Sequence, residues 1–87
     1  MALWERARFI EQIGSVLNQT IGEIVAMSSM RTATNKLNIK NNYLTTGECE
    51  RFIGHVTESI SFFVNDKELQ KISGELYQIV RKEKTPQ

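Results

Sequence analysis

Apolar residues recur at steps of three and four along the first third of the chain. Between residues 3 and 27 they define one face of a helix, and most residues on the opposite face are charged or carry amides. At 3.6 residues per turn, such positions fall on a single stripe. We therefore expect a long first helix over residues 3–27, whose stripe is formed by Leu3, Ala7, Ile10, Ile13, Leu17, Ile21, Ile24 and Met27.

The pattern weakens beyond residue 27, where Ser, Thr and Asn dominate the stretch 28–46. Their short polar side chains compete for backbone hydrogen bonds and disfavour helix. Met30, Thr34 and Leu37 would nevertheless continue the stripe. Two interpretations stay open: the first helix runs on to about residue 40, or it breaks near Ser28. The composition favours a break and a polar, basic connection over residues 28–45.

Two capping signatures predict where later helices begin. Thr45-x-x-Glu48 has the form of a capping box, and Asn65-x-x-Glu68 repeats it. Apolar residues follow each signature at helical spacing. We expect helices over about 46–64 and 66–83, followed by a frayed, charged tail. Their apolar faces are Cys49, Phe52, Ile53, Val56, Ile60 and Phe63 in the first, and Leu69, Ile72, Leu76 and Ile79 in the second.

Short connections favour antiparallel neighbours, so the last two helices should form a hairpin. The predicted fold is all-α: a small three- to four-helix bundle in a single domain over residues 1–87, with a long N-terminal helix packed on a C-terminal antiparallel helical hairpin. A chain of 87 residues buries only a little over ~60% of its unfolded surface. Domains of this size commonly need a disulfide, a metal or a partner.

The residue types for a disulfide or a metal site are scarce. The chain has one cysteine, Cys49, and one histidine, His55, and no metal-ligand spacing accompanies them. We therefore expect no metal and no cofactor, and a protein partner or a homo-oligomer remains as the stabilising element. Because Cys49 lies on an apolar stripe between Glu48 and Glu50, a buried thiol of raised pKa is favoured over a reactive one.

The overall charge is close to neutral. Eleven Lys and Arg against ten Asp and Glu give a formal net charge of +1, which excludes a globally basic nucleic-acid binder. No apolar run approaches the roughly 18 residues of a membrane span, and the pattern of a signal peptide is absent. We expect a cytoplasmic protein that makes no membrane contact.

Arg51 and His55 are separated by three residues. The pair is similar to the arginine and histidine of HEPN ribonucleases, but that family has four to six intervening residues, which bring both side chains to one phosphodiester. An i, i+4 pair is common on an exposed helix face. A small helical ribonuclease or toxin is therefore the third functional interpretation. We assign no catalytic residue and expect no enzyme.

Two aromatic side chains are candidates for a protein interface. Trp4 either caps the end of the bundle or anchors a partner, since tryptophan is enriched in interface hot spots. Phe62 lies beside Phe63 and points about 100° away from the predicted seam, so it meets either the first helix or another chain. The leading hypothesis is a non-enzymatic small helical subunit or adaptor that docks into a larger assembly through apolar helix faces.

Positive charges cluster in the middle of the chain. Between residues 24 and 47 there is no Asp or Glu, and basic side chains alternate with hydroxyl and amide groups. Such a mixture contacts phosphate and sugar oxygens without reading bases; a solvated loop is the alternative. The candidate contacts to a nucleic-acid backbone are Arg31, Lys36, Asn38, Lys40 and Tyr43.

A short, helix-only chain with a polar basic edge resembles the small helical subunit of CRISPR effector complexes. The resemblance concerns size and architecture over the whole chain and includes no sequence motif. It implies a subunit that stacks along a nucleoprotein filament, with Arg31, Lys36 and Lys40 as generic backbone contacts. Members of that family tend to be more basic than this chain.

Overall fold

Four helices and one short pair of strands make up the protein in the computed structural model, which describes residues 3–38 and 40–84. β1 (Leu3–Glu5) precedes α1 (Arg6–Ile21), and a single glycine separates α1 from α2 (Glu23–Leu37). β2 (Tyr43–Thr45) leads directly into α3 (Thr46–Ile60), and α4 (Asp66–Lys84) follows after the turn 61–65. The small all-α bundle predicted from the sequence is confirmed.

The helices pack as a ring of neighbours. α1 contacts α2, α2 contacts α3, α3 contacts α4, and α4 returns to α1. Each helix contributes one apolar stripe to a continuous core, which removes that surface from water and drives folding. The largest fully buried apolar side chains are Phe9, Ile13, Leu17, Leu44, Phe52, Ile53, Val56, Ile60, Leu76 and Val80.

Residues 3–5 form a strand, so the prediction of helix from residue 3 is wrong. β1 pairs antiparallel with β2, and Trp4 lies opposite Leu44 on the buried face. Each strand has one residue inside and its neighbours outside, the alternation of a half-buried strand. Burial of Trp4 and Leu44 therefore determines the structure of residues 3–5, although the helical spacing of apolar residues begins at Leu3.

The predicted long first helix is in fact two helices. α1 ends at Ile21 because Gly22 adopts φ 87° and ψ 163°, a backbone conformation essentially restricted to glycine. α2 then packs back against α1, where a Cβ added to Gly14 would lie 3.2 Å from the Met30 sulfur. The break precedes the position near Ser28 that the composition favoured.

The stretch expected to be a connection is helical from residue 28 to Leu37. Its threonine hydroxyls bond within the helix instead of competing with it. The Thr32 hydroxyl donates to the carbonyl of Ser28 at 3.0 Å, and the Thr34 hydroxyl donates to that of Met30 at 2.8 Å. Small side chains let α2 pack closely on its neighbours, and its buried positions are Ala26, Ser29 and Ala33.

The capping box predicted at Thr45 is present, and the Asn65 side chain caps α4. The backbone N–H of Glu48 donates to the Thr45 hydroxyl at 3.2 Å, and the backbone N–H of Thr45 donates to the Glu48 carboxylate at 2.9 Å. The Asn65 side-chain oxygen accepts from the backbone N–H of Glu68 at 2.8 Å. These bonds satisfy donors that a helix start leaves unpaired, and they explain why α3 and α4 begin where the sequence predicts.

The two later helices differ in how well their predicted ends agree with the structure. α3 ends at Ile60, before the expected residue 64, whereas α4 ends at Lys84, close to the predicted end at about residue 83. Residues 85–87 of the predicted tail lie outside the described residues. None of the described helices is long and apolar enough to cross a membrane.

Gly22→Ala should destabilise the protein, because φ 87° and ψ 163° place a Cβ in a conformation that costs about 1–3 kcal/mol. Gly74→Ala is the matched control. Gly74 lies inside α4, and an added Cβ would meet no atom within 4 Å, so alanine should raise the unfolding free energy by up to ~1 kcal/mol. Urea unfolding measures both changes. A Gly22→Ala variant at least as stable as the unchanged protein would contradict the break at Gly22.

Candidate interaction surfaces

Trp4 lies in the core, so the hypothesis that it anchors a partner is wrong. Its side chain is 4% exposed. Its ring meets Phe9 edge to face, with centroids 5.6 Å apart, and Phe9 meets Phe52 in the same manner at 5.5 Å. The alternative interpretation, a side chain that caps the end of the bundle, is compatible with this buried position between β1, α1 and α3.

Phe62 and Phe63 are exposed together in the turn between α3 and α4, with exposed fractions of 84% and 66%. The Phe63 N–H donates to the Ile60 carbonyl at 2.8 Å, which forms a turn directly after α3. Phe63 was expected on the seam of α3, and this is wrong because the helix ends first. Phe62 lies outside the core, and its role at an interface stays a prediction. We call Phe62 and Phe63 the hairpin tip.

A groove of about 410 Å³ runs between α3 and α4. Its floor is open at Gly74, where an added Cβ would meet no atom within 4 Å. Leu69 and Tyr77 are only half-buried, so a docked side chain would complete their burial. We call this the hairpin groove, and its lining residues are Thr57, Leu69, Gln70, Ser73, Gly74, Tyr77 and Arg81.

The outer side of α2 combines apolar and basic character. Ile24 and Met27 are 84% and 56% exposed. Both were expected on the buried stripe of the first helix, and this is wrong because the break at Gly22 changes the direction of the chain before the stripe continues. A shallow groove of about 340 Å³ defines what we call the α2 face, formed by Ile24, Met27, Ser28, Arg31, Thr32 and Asn35.

All five predicted nucleic-acid contacts are exposed, but they are spread over three parts of the chain. Two lie on α2, two lie in the connection after it, and one lies on β2. Asn38, directly after α2, adopts a left-handed conformation with φ 53°, which asparagine tolerates. In chain order the five residues are Arg31, Lys36, Asn38, Lys40 and Tyr43.

Lys36 forms an ion pair with an acidic side chain of α3. Its ammonium nitrogen lies 3.0 Å from a carboxylate oxygen of Glu58. The hydrogen bond from Lys36 and then its charge hold the pKa of the Glu58 carboxyl below its usual range, with a smaller contribution from His55. Lys36 therefore offers less free charge to an external anion than the sequence suggested.

The Arg51 and His55 pair lies on α3 as well. Arg51 is exposed and His55 is half-buried.

Cys49 is a core residue, as the sequence predicted. Its side chain is fully buried. Burial, followed by the charges of Glu48 and Glu50, raises the pKa of the thiol to about 12. In the part of the chain that the structure describes, no three His, Cys, Asp or Glu side chains are placed to hold one metal ion.

Ile24, Met27 and Phe63 are surface residues that the sequence pattern assigned to the core. A signal for the first two exists at Gly22-Glu23, where a residue of low helix propensity precedes an acidic residue suited to a first helical turn. Phe63 continues the helical spacing of Val56 and Ile60, and no Gly or Pro lies between Val56 and Phe63. Its exposure could not be predicted from local pattern.

No family model, curated protein or solved structure matches this chain. The exposed side chains and their charges are therefore the basis for a functional inference. Three surfaces stand out: the hairpin tip, the hairpin groove and the α2 face.

Cys49 should resist thiol reagents while the protein is folded, because the thiolate is the nucleophile and a pKa of about 12 leaves little thiolate at pH 8. Dithionitrobenzoate should react at least ~100-fold more slowly in buffer than in urea. As a control, Cys49→Ser combined with Ser61→Cys moves the thiol to an exposed position and should react rapidly without urea. Rapid reaction of the native protein would contradict the burial of Cys49.

Proposed function

We propose that this protein is a non-enzymatic small helical subunit or adaptor, active in the cytoplasm, that docks into a larger assembly through its helical hairpin. The observation that carries the proposal is the exposure of two consecutive phenylalanines, Phe62 at 84% and Phe63 at 66%. Fully burying one such side chain contributes about 1.5–3 kcal/mol. The hairpin tip therefore offers a partner about 3–6 kcal/mol of burial free energy.

The hairpin tip alone is too small for a stable complex, because association costs about 4–15 kcal/mol of lost translational and rotational freedom. The hairpin groove supplies further surface close to it in the chain. Thr57 lies in the last turn of α3 and Leu69 in the first turns of α4, so one end of the groove adjoins the turn that carries the tip. Half-buried Tyr77 continues the apolar lining, and tyrosine is enriched in interfaces.

The position of Cys49 also favours docking over covalent chemistry at a cysteine. Cys49 is buried with its pKa raised to about 12, so its sulfur is protonated and inaccessible to a substrate. Arg51 and His55 lie one turn apart on α3, a separation typical of an exposed helix face. A small ribonuclease or toxin remains the third interpretation.

A second candidate is a sequence-independent contact to a nucleic-acid backbone, as expected of the CRISPR small subunit that the chain resembles. Two observations favour it. Arg31 and Lys40 are exposed and have no salt bridge within the described residues, and the Tyr43 ring is 56% exposed and available for stacking. The carboxylate of Glu58 beside Lys36 weakens this candidate, because it repels phosphate.

Replacing both rings of the hairpin tip, Phe62→Ser with Phe63→Ser, should remove docking and leave folding intact. Exposed positions change stability by no more than ~0.5 kcal/mol each, whereas loss of about 3–6 kcal/mol of burial lowers affinity more than ~100-fold. Partners recovered with the tagged chain are identified by mass spectrometry and quantified, and sedimentation velocity measures self-association.

Leu3→Ser is the control for this variant, since Leu3 is an exposed apolar side chain on the outer face of the small sheet. It should retain partner binding and self-association. Circular dichroism verifies that each variant is folded. Equal partner recovery by the double variant and the unchanged protein would overturn docking through the hairpin tip.

The nucleic-acid candidate predicts a change in salt dependence. Arg31→Gln, Lys36→Gln and Lys40→Gln together should flatten the slope of log affinity against log salt by about 2–3 units on unrelated DNA and RNA sequences. Because Lys36 is paired with Glu58, the lower figure is expected. The control removes three exposed charges elsewhere, by glutamine at Arg8, Lys67 and Lys71. An unaltered slope in the purified assembly would leave the adaptor proposal alone.

A further inference from the structure

We propose that the α2 face binds an acidic amphipathic helix of a partner protein. This inference rests on the adaptor function proposed above and names the chemistry of the ligand at a second surface, separate from the hairpin tip. Two properties of the face lead to it: exposed apolar side chains at one end and an uncompensated positive charge farther along. The length of the face along α2 then gives the length of the ligand.

The apolar end of the α2 face consists of Ile24 and Met27. They are three residues apart and therefore lie on one side of the helix, with exposed fractions of 84% and 56%. Methionine adapts its shape to the partner and is common in surfaces that bind amphipathic helices. A ligand that covers both side chains must itself present apolar groups.

The charge on the α2 face is positive only. Arg31 is exposed and forms no salt bridge within the described part of the chain. No Asp or Glu occurs between residues 24 and 47. The α2 face therefore contains no carboxylate that could pair with Arg31. A guanidinium group binds carboxylates through two parallel hydrogen bonds. Charge complementarity therefore calls for Asp or Glu in the ligand.

The length of the α2 face fits a docked helix of about three turns. Ile24 and Asn35 are the first and last lining residues, and eleven steps of 1.5 Å place them about 16 Å apart along α2. Side chains at i, i+3, i+4 and i+7 of a docked helix reach such a surface. The ligand should thus carry apolar residues opposite Ile24 and Met27, and a carboxylate about one or two turns away opposite Arg31.

A nucleic-acid backbone fits the same face less well. Ile24 and Met27 would meet charged phosphates and hydrated sugars, which offer them little apolar surface. Among the described residues, Arg31 is the one basic residue that lines the groove, whereas a strong charge-driven DNA contact involves roughly 6–10 phosphates. Lys36 lies beside the carboxylate of Glu58. The combination of apolar and single positive groups favours an acidic protein helix.

A displayed library of random 14-residue peptides, selected on the full-length chain, tests the inference. Enriched peptides should carry net negative charge and apolar residues at helical spacing. Their affinity should fall at least ~10-fold for Arg31→Glu and for Ile24→Ser with Met27→Ser. It should be unchanged for Phe62→Ser with Phe63→Ser. A peptide whose Asp and Glu are replaced by Lys should regain binding to the Arg31→Glu variant, which a merely misfolded variant would not show.

Three outcomes would overturn the α2 ligand and leave hairpin docking untouched. The first is a selection that enriches no peptide or only neutral and basic ones. The second is binding that the α2 substitutions do not weaken. The third is binding of a 20-nucleotide oligothymidine that Arg31→Glu weakens while no acidic peptide binds. Conversely, unchanged partner recovery by the Phe62 and Phe63 variant would overturn docking through the tip without altering the peptide result.

Discussion

The edge-to-face contacts of Trp4, Phe9 and Phe52 join β1, α1 and α3, and the remaining structure is arranged around them. Aromatic pairs of this geometry contribute about 0.5–1.5 kcal/mol beyond the area they bury. Their larger effect is geometric, because three rings from three elements fix the separation of α1 and α3. α2 and α4 each contact both of those helices. α2 and α4 therefore fill the space on either side of the α1–α3 pair, α2 with small buried side chains and α4 with a larger apolar stripe.

Closing this core leaves apolar side chains for which there is no room inside. The break at Gly22 lets α2 pack on α1 and α3 through its small side chains, and the same change of direction leaves Ile24 and Met27 exposed. The early end of α3 has a corresponding effect on Phe62 and Phe63. A domain of this size buries little apolar area to spare. Such exposure therefore lowers the stability of the isolated chain, and a partner that covers these side chains gains binding free energy.

The parts of the fold that depend on neighbouring residues were predictable, and the parts that depend on distant ones were not. The capping bonds at Thr45 and Asn65 form within a few residues of the chain, so sequence spacing was enough to place the starts of α3 and α4. Pairing of β1 with β2 required knowledge of where Trp4 and Leu44 meet. The candidate surfaces follow the same rule. Exposure of Phe62 could be expected from its position beside an apolar seam, whereas Lys36 met an acidic partner on another helix.

The small sheet also bears on the order in which the protein assembles and opens. Leu3 pairs with Thr45, and closing a loop of about 40 residues costs roughly 3 kcal/mol of chain entropy. α3 and α4, joined by the turn 61–65, form contacts between residues close in sequence and can assemble first. A three-residue ladder offers few hydrogen bonds against the loop entropy, so β1 is held chiefly by burial of Trp4. Release of that one side chain would free the N-terminal strand and its amide protons while the helical hairpin stays folded.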